Sequence, residues 1–247
     1  MTSYIILGIL QGLTEFLPVS SSAHLVFMQR LLGITQEEIA LGVVLHLGTA
    51  LALMVFFYRD ILRLFVDKKL FFLVATATMI TGIIGITGKD FFEGLFSEFK
   101  LVSLAWIITG IILILTKGCL NAKRNTLNLK DAFIFGISQA LAIIPGISRS
   151  GITISTLLFR GIEKENAFRF SFLASIPVVC GAALLELKKI DFALRGSPVN
   201  FGLGFIFSFF AGLFSLRVLK SVLLRAKFHY FGYYCIIVAI LTLVFLR

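Results

Sequence analysis

The chain has 247 residues, of which 58% are hydrophobic and 15% charged, and its mean hydropathy is +1.00. That leaves too little polar side chain to coat a water-soluble globule, so lipid must be part of its solvent. A net charge of +10 invites a nucleic-acid reading, but the basic residues stand singly and in pairs between apolar runs, with no basic helix and no aromatic interleaving, which excludes it.

Residues 4–32 form a long apolar stretch interrupted at 18–22 by Pro18, Val19, Ser20, Ser21 and Ser22. Residues 1–10 carry no basic start and no small-residue cleavage site, so this stretch is expected to be mature structure and not a removed leader. Three runs at 39–58, 70–87 and 101–116 follow, each long enough to cross a hydrocarbon core of about 30 Å. A second interrupted stretch occupies 132–159, broken at 145–151 by Pro145 through Gly151. Three more runs close the chain at 168–187, 201–216 and 230–246. Proline followed by hydroxyl residues stops one helix and starts another, so each interrupted stretch is expected to be a re-entrant hairpin of two short helices. Bent backbone is tolerated at membrane depth only beside protein or a water-filled cavity.

The two stretches match one another. Gly8, Ile9, Gln11 and Leu13 align with Gly136, Ile137, Gln139 and Leu141, and after one gap Pro18, Ser21, Glu38 and Ala40 align with Pro145, Ser148, Glu165 and Ala167. The chain is therefore read as a single membrane domain, 1–247, of two pseudo-repeats at about 1–127 and 128–247. Each holds one hairpin and three spans. Three is odd, so the second copy lies upside down relative to the first. The predicted fold is all-α and integral to the membrane: six transmembrane helices plus two re-entrant helix hairpins in an inverted-topology repeat. Most basic residues fall at 59–69, 117–131, 160–169 and 217–227; the other side carries Arg30, Lys89, Lys100, Lys188, Lys189, Arg195 and Arg247. The richer set belongs in the cytoplasm, which turns both termini and the mouth of the first hairpin outward.

Ionisable side chains inside apolar segments are expensive, about 2.5 kcal/mol or more at the bilayer centre. Glu15, His24 and Arg149 are such residues, and each lies in or beside a break. Gln11 and Glu15, four apart on a helix, share a face. A carboxylate there can hold a hard divalent cation or take a proton from a nucleophile. Ser20, Ser21 and Ser22 begin the next helix, with His24 about one turn beyond Ser21 as a plausible acid/base partner. In the second break Ser148 and Ser150 supply hydroxyls and Arg149 a planar fork of donors, a combination suited to phosphate. Pairing of Arg149 with Glu15 is the plainer alternative, and both hold if the pair exists only without ligand. His46, alone in its span, reads as a hydrogen-bonded packing residue. Ser208, Ala211, Gly212 and Ser215 form a small-residue stripe for close helix packing, and Cys119, Cys180 and Cys235 read as small hydrophobes.

Gln11-Gly12-Leu13-Thr14-Glu15-Phe16-Leu17-Pro18-Val19-Ser20-Ser21-Ser22-Ala23-His24 and Pro145-Gly146-Ile147-Ser148-Arg149-Ser150-Gly151-Ile152-Thr153 resemble the two signature motifs of the bacterial undecaprenyl-diphosphatase family, the bacitracin-resistance type. The resemblance implies hydrolysis of C55 isoprenyl diphosphate to the monophosphate in the bacterial cell membrane, with a divalent metal, Mg²⁺ or Ca²⁺, to recycle the carrier lipid of cell-wall synthesis. By position it makes Glu15 the essential acid and metal ligand, Ser21 the nucleophile, His24 its partner, and Ser148 and Arg149 the diphosphate cradle. Gln11, Ser20, Ser22, Ser150 and Thr153 become supporting substrate donors. The family pattern admits Glu or Gln at position 11, and Gln11 leaves this motif one carboxylate. An inverted-repeat transporter or lipid flippase is the competing reading, and self-association into a homo-oligomer stays open.

Overall fold

The computed structural model describes residues 1–32, 38–95, 99–187 and 197–245, and every regular element among them is helical. In chain order these are α1 Thr2–Phe16, α2 Ser21–Leu32, α3 Glu38–Phe56, α4 Tyr58–Leu64, α5 Lys68–Thr87, α6 Lys89–Leu95, α7 Phe99–Leu115, α8 Leu129–Leu141, α9 Arg149–Phe159, α10 Lys164–Leu187, α11 Pro198–Leu224 and α12 Tyr230–Phe245. A 3₁₀ turn, Thr116–Cys119, extends α7.

Over their described residues the six apolar runs are helical, apart from a turn at Phe57. Four helices, Lys68–Thr87, Lys100–Cys119, Lys164–Leu185 and Pro198–Leu224, are long and apolar enough to cross a membrane, and the pair Ala40–Phe56 and Tyr58–Leu64, bent by 73°, makes a fifth candidate. Tyr230–Val244 is a shorter apolar helix. Large apolar side chains such as Phe71, Phe72 and Met79 on α5, Phe210 and Phe214 on α11, and Ile237 and Val244 on α12 face outward. A surface of that kind needs hydrocarbon around it, and the chain is a multi-pass membrane protein.

Two boundaries differ from the sequence reading. Residues 59–64, expected to be loop, belong to α4. The run expected to end at 216 continues to Leu224, because no Gly or Pro interrupts it and its lower face buries Leu219 and Leu223. Lys220 on that extension donates to Glu165 (2.9 Å), and Lys164 donates to the carbonyl of Leu224 at the helix end (3.0 Å). Lys188, Lys189, Arg195 and Arg247, counted for orientation, lie outside the described residues.

Helix α11 lies between α1 and α3, and its small residues are what bring it close. A Cβ on Gly8 would sit 2.6 Å from the carbonyl of Gly204, and one on Gly12 2.6 Å from Ala211 Cβ. Ser208 donates to the carbonyl of Leu45 (2.8 Å) and Ser215 to that of Gly12 (2.8 Å). Helix α8 packs on α5 in the corresponding way, with Thr81 donating to the carbonyl of Gly136 (3.0 Å). Helices α7 and α12 pair with each other. The element that opens each half thus packs on the other half.

Charge closes one end of the molecule. Asp131, fully buried, accepts from Arg124 (2.7 Å) and Arg160 (2.9 Å), and a capping box with Asn128 starts α8. Arg124 also exchanges backbone hydrogen bonds with Gly161 and Glu163. The start of α8 and the end of α9 are held side by side.

Candidate active site

Two chain breaks build the site. Leu17 is extended, as a residue before proline must be, which ends α1. Ser20 then takes a positive φ of 64° and turns the chain into α2. In the second break Gly146 has φ +95°, a conformation that costs a glycine little. Thr109 on α7 donates to the carbonyl of Gly146 (3.0 Å) and accepts from the amide of Ser148 (3.1 Å). One hydroxyl therefore satisfies two backbone groups that the break leaves free. Ser148 caps α9, accepting from the amide of Gly151 (3.2 Å).

The breaks meet at a cavity of about 170 Å³ lined by Thr14, Glu15, Ser20, Ser21, Ser22, His46, Ala142, Ile143, Ile147, Ser148 and Arg149. A larger hollow of about 270 Å³ lies elsewhere, between Asp60, Lys69 and Arg169, where Arg169 pairs with Asp60. It contains none of the motif residues.

Glu15 is the hub of the smaller cavity. Its Oε2 accepts from Ser21 Oγ (2.7 Å) and from Gln11 Nε2 (3.0 Å), and its Oε1 is paired with Arg149 Nη2. The glutamate side chain is 8% exposed and that of Arg149 18%. Arg149 Nη1 is buried without a hydrogen-bond partner among the described residues, and so is Gln11 Oε1. Serine, carboxylate and guanidinium form one connected chain: a hydroxyl pointed at a base, and a cation with a donor to spare.

His24 stands apart from that chain. Its Nδ1 meets the carbonyl of Ser20 (2.8 Å), its Nε2 the hydroxyl of Tyr234 (2.8 Å), and its ring sits edge-on to Trp106 with centroids 4.8 Å apart. Both ring nitrogens are taken, so the Ser21–His24 pair expected from their spacing does not form. The imidazole instead braces the first break against α7 and α12. Ser150 is buried behind Ser148, 3.3 Å between hydroxyls, and Thr153 faces α10, where its hydroxyl is 2.7 Å from Ser171. Neither lines the cavity, whereas Ser20 and Ser22 do.

His46, read from the sequence as a hydrogen-bonded packing residue, has its hydrogen bond but stands on the wall of the cavity. Its Nδ1 lies 2.9 Å from Gln11 Nε2 and 3.7 Å from Glu15 Oε2, on the cavity wall. A lone histidine in an apolar run has no neighbour in sequence to mark it. Only its polarity inside the span hinted at a partner.

Comparison with known proteins finds relatives along nearly the whole chain. Residues 4–241 match the family described as bacitracin resistance protein BacA. The undecaprenyl-diphosphatase of Halothermothrix orenii is 42% identical over 97% of this chain and 96% of its own length. That of Syntrophotalea carbinolica is 41% identical over 94% and 93%, and undecaprenyl-diphosphatase 3 of Bacillus anthracis 37% over 98% and 97%. With the match running through both breaks and nearly end to end, the chain belongs to the bacitracin resistance protein BacA family.

Proposed function

We propose that this chain hydrolyses undecaprenyl diphosphate to undecaprenyl monophosphate and inorganic phosphate, recycling the carrier lipid of cell-wall synthesis and conferring resistance to bacitracin. The observation that carries the reading is the Ser21–Glu15–Arg149 chain at the wall of one cavity. Relatives named for the same reaction support it, and nothing in the site favours transport over hydrolysis.

The diphosphate enters with its terminal phosphate on Arg149, whose Nη1 has no acceptor among the described residues, and beside Ser148 at the start of α9. Ser21 Oγ attacks the terminal phosphorus as its proton passes to Glu15 Oε2, and the bond from that phosphorus to the bridging oxygen breaks. The prenyl monophosphate leaves, and water then releases phosphate from Ser21 with the proton returned. Glu15 thus does the work expected of His24, because it is the base within reach of the hydroxyl.

Among the described residues Glu15 is the single carboxylate lining the cavity, and no three His, Cys, Asp or Glu side chains converge as metal ligands. A protein-only cage is absent there, yet the donors fit a cation shared with substrate: the Glu15 carboxylate and the unpartnered carbonyl oxygen of Gln11, with phosphate oxygens completing the shell. Bound there, Mg²⁺ or Ca²⁺ would neutralise charge on the diphosphate.

For the architecture we propose six crossings and two re-entrant hairpins in an inverted repeat, in the bacterial cell membrane with both termini and the cavity mouth outward. The reciprocal packing of α1 on α11 and α8 on α5 supports the repeat.

Phosphate release by the purified protein from undecaprenyl diphosphate is the test. Release should depend on added Mg²⁺ or Ca²⁺ and stop in excess chelator, and Ser21→Ala should lower turnover at least about a hundredfold while substrate still binds. No release by the parent protein in any metal would overturn the reading; near-normal turnover by Ser21→Ala would shift attack to water.

A further inference from the structure

Gln11, Glu15 and His46 hold three polar atoms in a small triangle. Gln11 Nε2 is 3.0 Å from Glu15 Oε2 and 2.9 Å from His46 Nδ1, and those two acceptors are 3.7 Å apart. An amide nitrogen carries only donors, so His46 Nδ1 accepts here and the ring proton sits on Nε2. The other end of the same amide is unsatisfied. Gln11 has no exposed surface, and its Oε1 is buried with no partner among the described residues. A buried acceptor in that state costs about 1–3 kcal/mol.

Half a turn of the amide exchanges its two ends and brings Oε1 to the corner now held by Nε2. Three lone pairs would then face one another, an arrangement that repels unless a cation lies among them. We propose that His46 is a further ligand of the divalent cation held by Gln11 and Glu15, with Gln11 Oε1, Glu15 Oε2 and His46 Nδ1 as one face of its coordination shell. Adjacent ligands in an octahedral shell with bonds of about 2.1 Å are about 3.0 Å apart. Two edges of the triangle, 3.0 and 2.9 Å, already have that length. The third closes by a small rotation of His46, whose side chain is 38% exposed and borders the cavity. Arg149 binds the opposite carboxylate oxygen, Oε1, and Ser21 keeps one lone pair of Oε2, so the cation takes only the lone pair that Gln11 Nε2 now faces.

The inference rests on the reading of Glu15 and Gln11 as the cation's donors and adds one more, His46. Gln11 supplies no second carboxylate, and the imidazole of His46 takes up that lost ligation. A nitrogen donor also changes the preference of the site. Calcium takes oxygen ligands, and an imidazole nitrogen beside them shifts the site away from Ca²⁺ toward first-row divalent metals, Mn²⁺ among them.

Pulsed electron paramagnetic resonance of Mn²⁺ added alone to the metal-stripped protein in detergent tests this without turnover. The expected spectrum shows nitrogen-14 modulation from a coordinated imidazole, lost in His46→Gln together with at least about a tenfold weakening of Mn²⁺ binding, since even ligand-supporting residues cost about 10–100-fold. Bound Mn²⁺ without nitrogen modulation in the parent protein, or modulation that persists in His46→Gln, overturns His46 as a ligand. Failure to bind Mn²⁺ at all overturns the site. The parent spectrum decides the question even if the variant folds poorly, and a wrong substrate assignment shows separately, as absent phosphate release.

Discussion

Glu15 and Arg149 come from opposite halves of the chain and meet as a largely buried pair. A pair so placed is a weak source of stability, but removing one partner strands the other's charge at a cost of about 3–5 kcal/mol. Alanine at 149 would therefore confuse folding with catalysis. Arg149→Lys keeps the charge and removes the fork. The variant should insert and melt close to the parent, yet lose at least about a hundredfold in kcat/KM for phosphate release, the scale of one preorganised donor. A lysine variant that turns over at the parental rate would reduce Arg149 to a counter-ion. The sequence marked both residues because charge in an apolar segment has few innocent explanations. It could not rank Ser21's partners. Spacing along α2 suggested His24, whereas the choice was made by the carbonyl of Ser20 and the hydroxyl of Tyr234, the latter contributed by the last helix of the chain. That His46 bonds to Gln11 beside the cavity was illegible for a related reason, since it depends on α3 lying against α1.

Helices were the most legible elements, because runs of apolar residues bounded by charge or proline leave little else to form. Their lengths were less so: α11 outruns its apolar stretch on the strength of tertiary burial at Leu219 and Leu223. The breaks were visible as motifs, but what holds them was not. Helix α7 braces both, through Trp106 against His24 and through Thr109 at the second break. Gly146 has a positive φ, and a Cβ there would meet the carbonyl of Val102 and lie 2.9 Å from Ala105 Cβ, both on α7. Gly146→Ala combines backbone strain of about 1–3 kcal/mol with overpacking of similar size. It should lower the thermal midpoint in detergent and abolish phosphate release. Gly42→Ala is the control, since a Cβ there meets nothing within 4 Å. Equal behaviour of the two variants would mean that the break tolerates a side chain and that α7 does not fix it.

Orientation belongs to the whole molecule. Lys123→Cys, in a background with Cys119, Cys180 and Cys235 replaced, should be shielded from an impermeant thiol reagent in intact cells and react once the membrane is opened. Labelling in intact cells would turn the molecule over and place the cavity mouth inward. A different consequence follows from the way α1 lies on α11, α8 on α5 and α7 on α12. In each pairing the partners come from different halves, so neither half owns a finished interior. Residues 1–127 and 128–247 made as two separate polypeptides should each be degraded or aggregate when produced alone. Made together in one cell they should find each other, co-purify and release phosphate, much as two gene products would in an obligate heterodimer. Stable accumulation of either fragment by itself would show that the exchanged helices are dispensable to its folding.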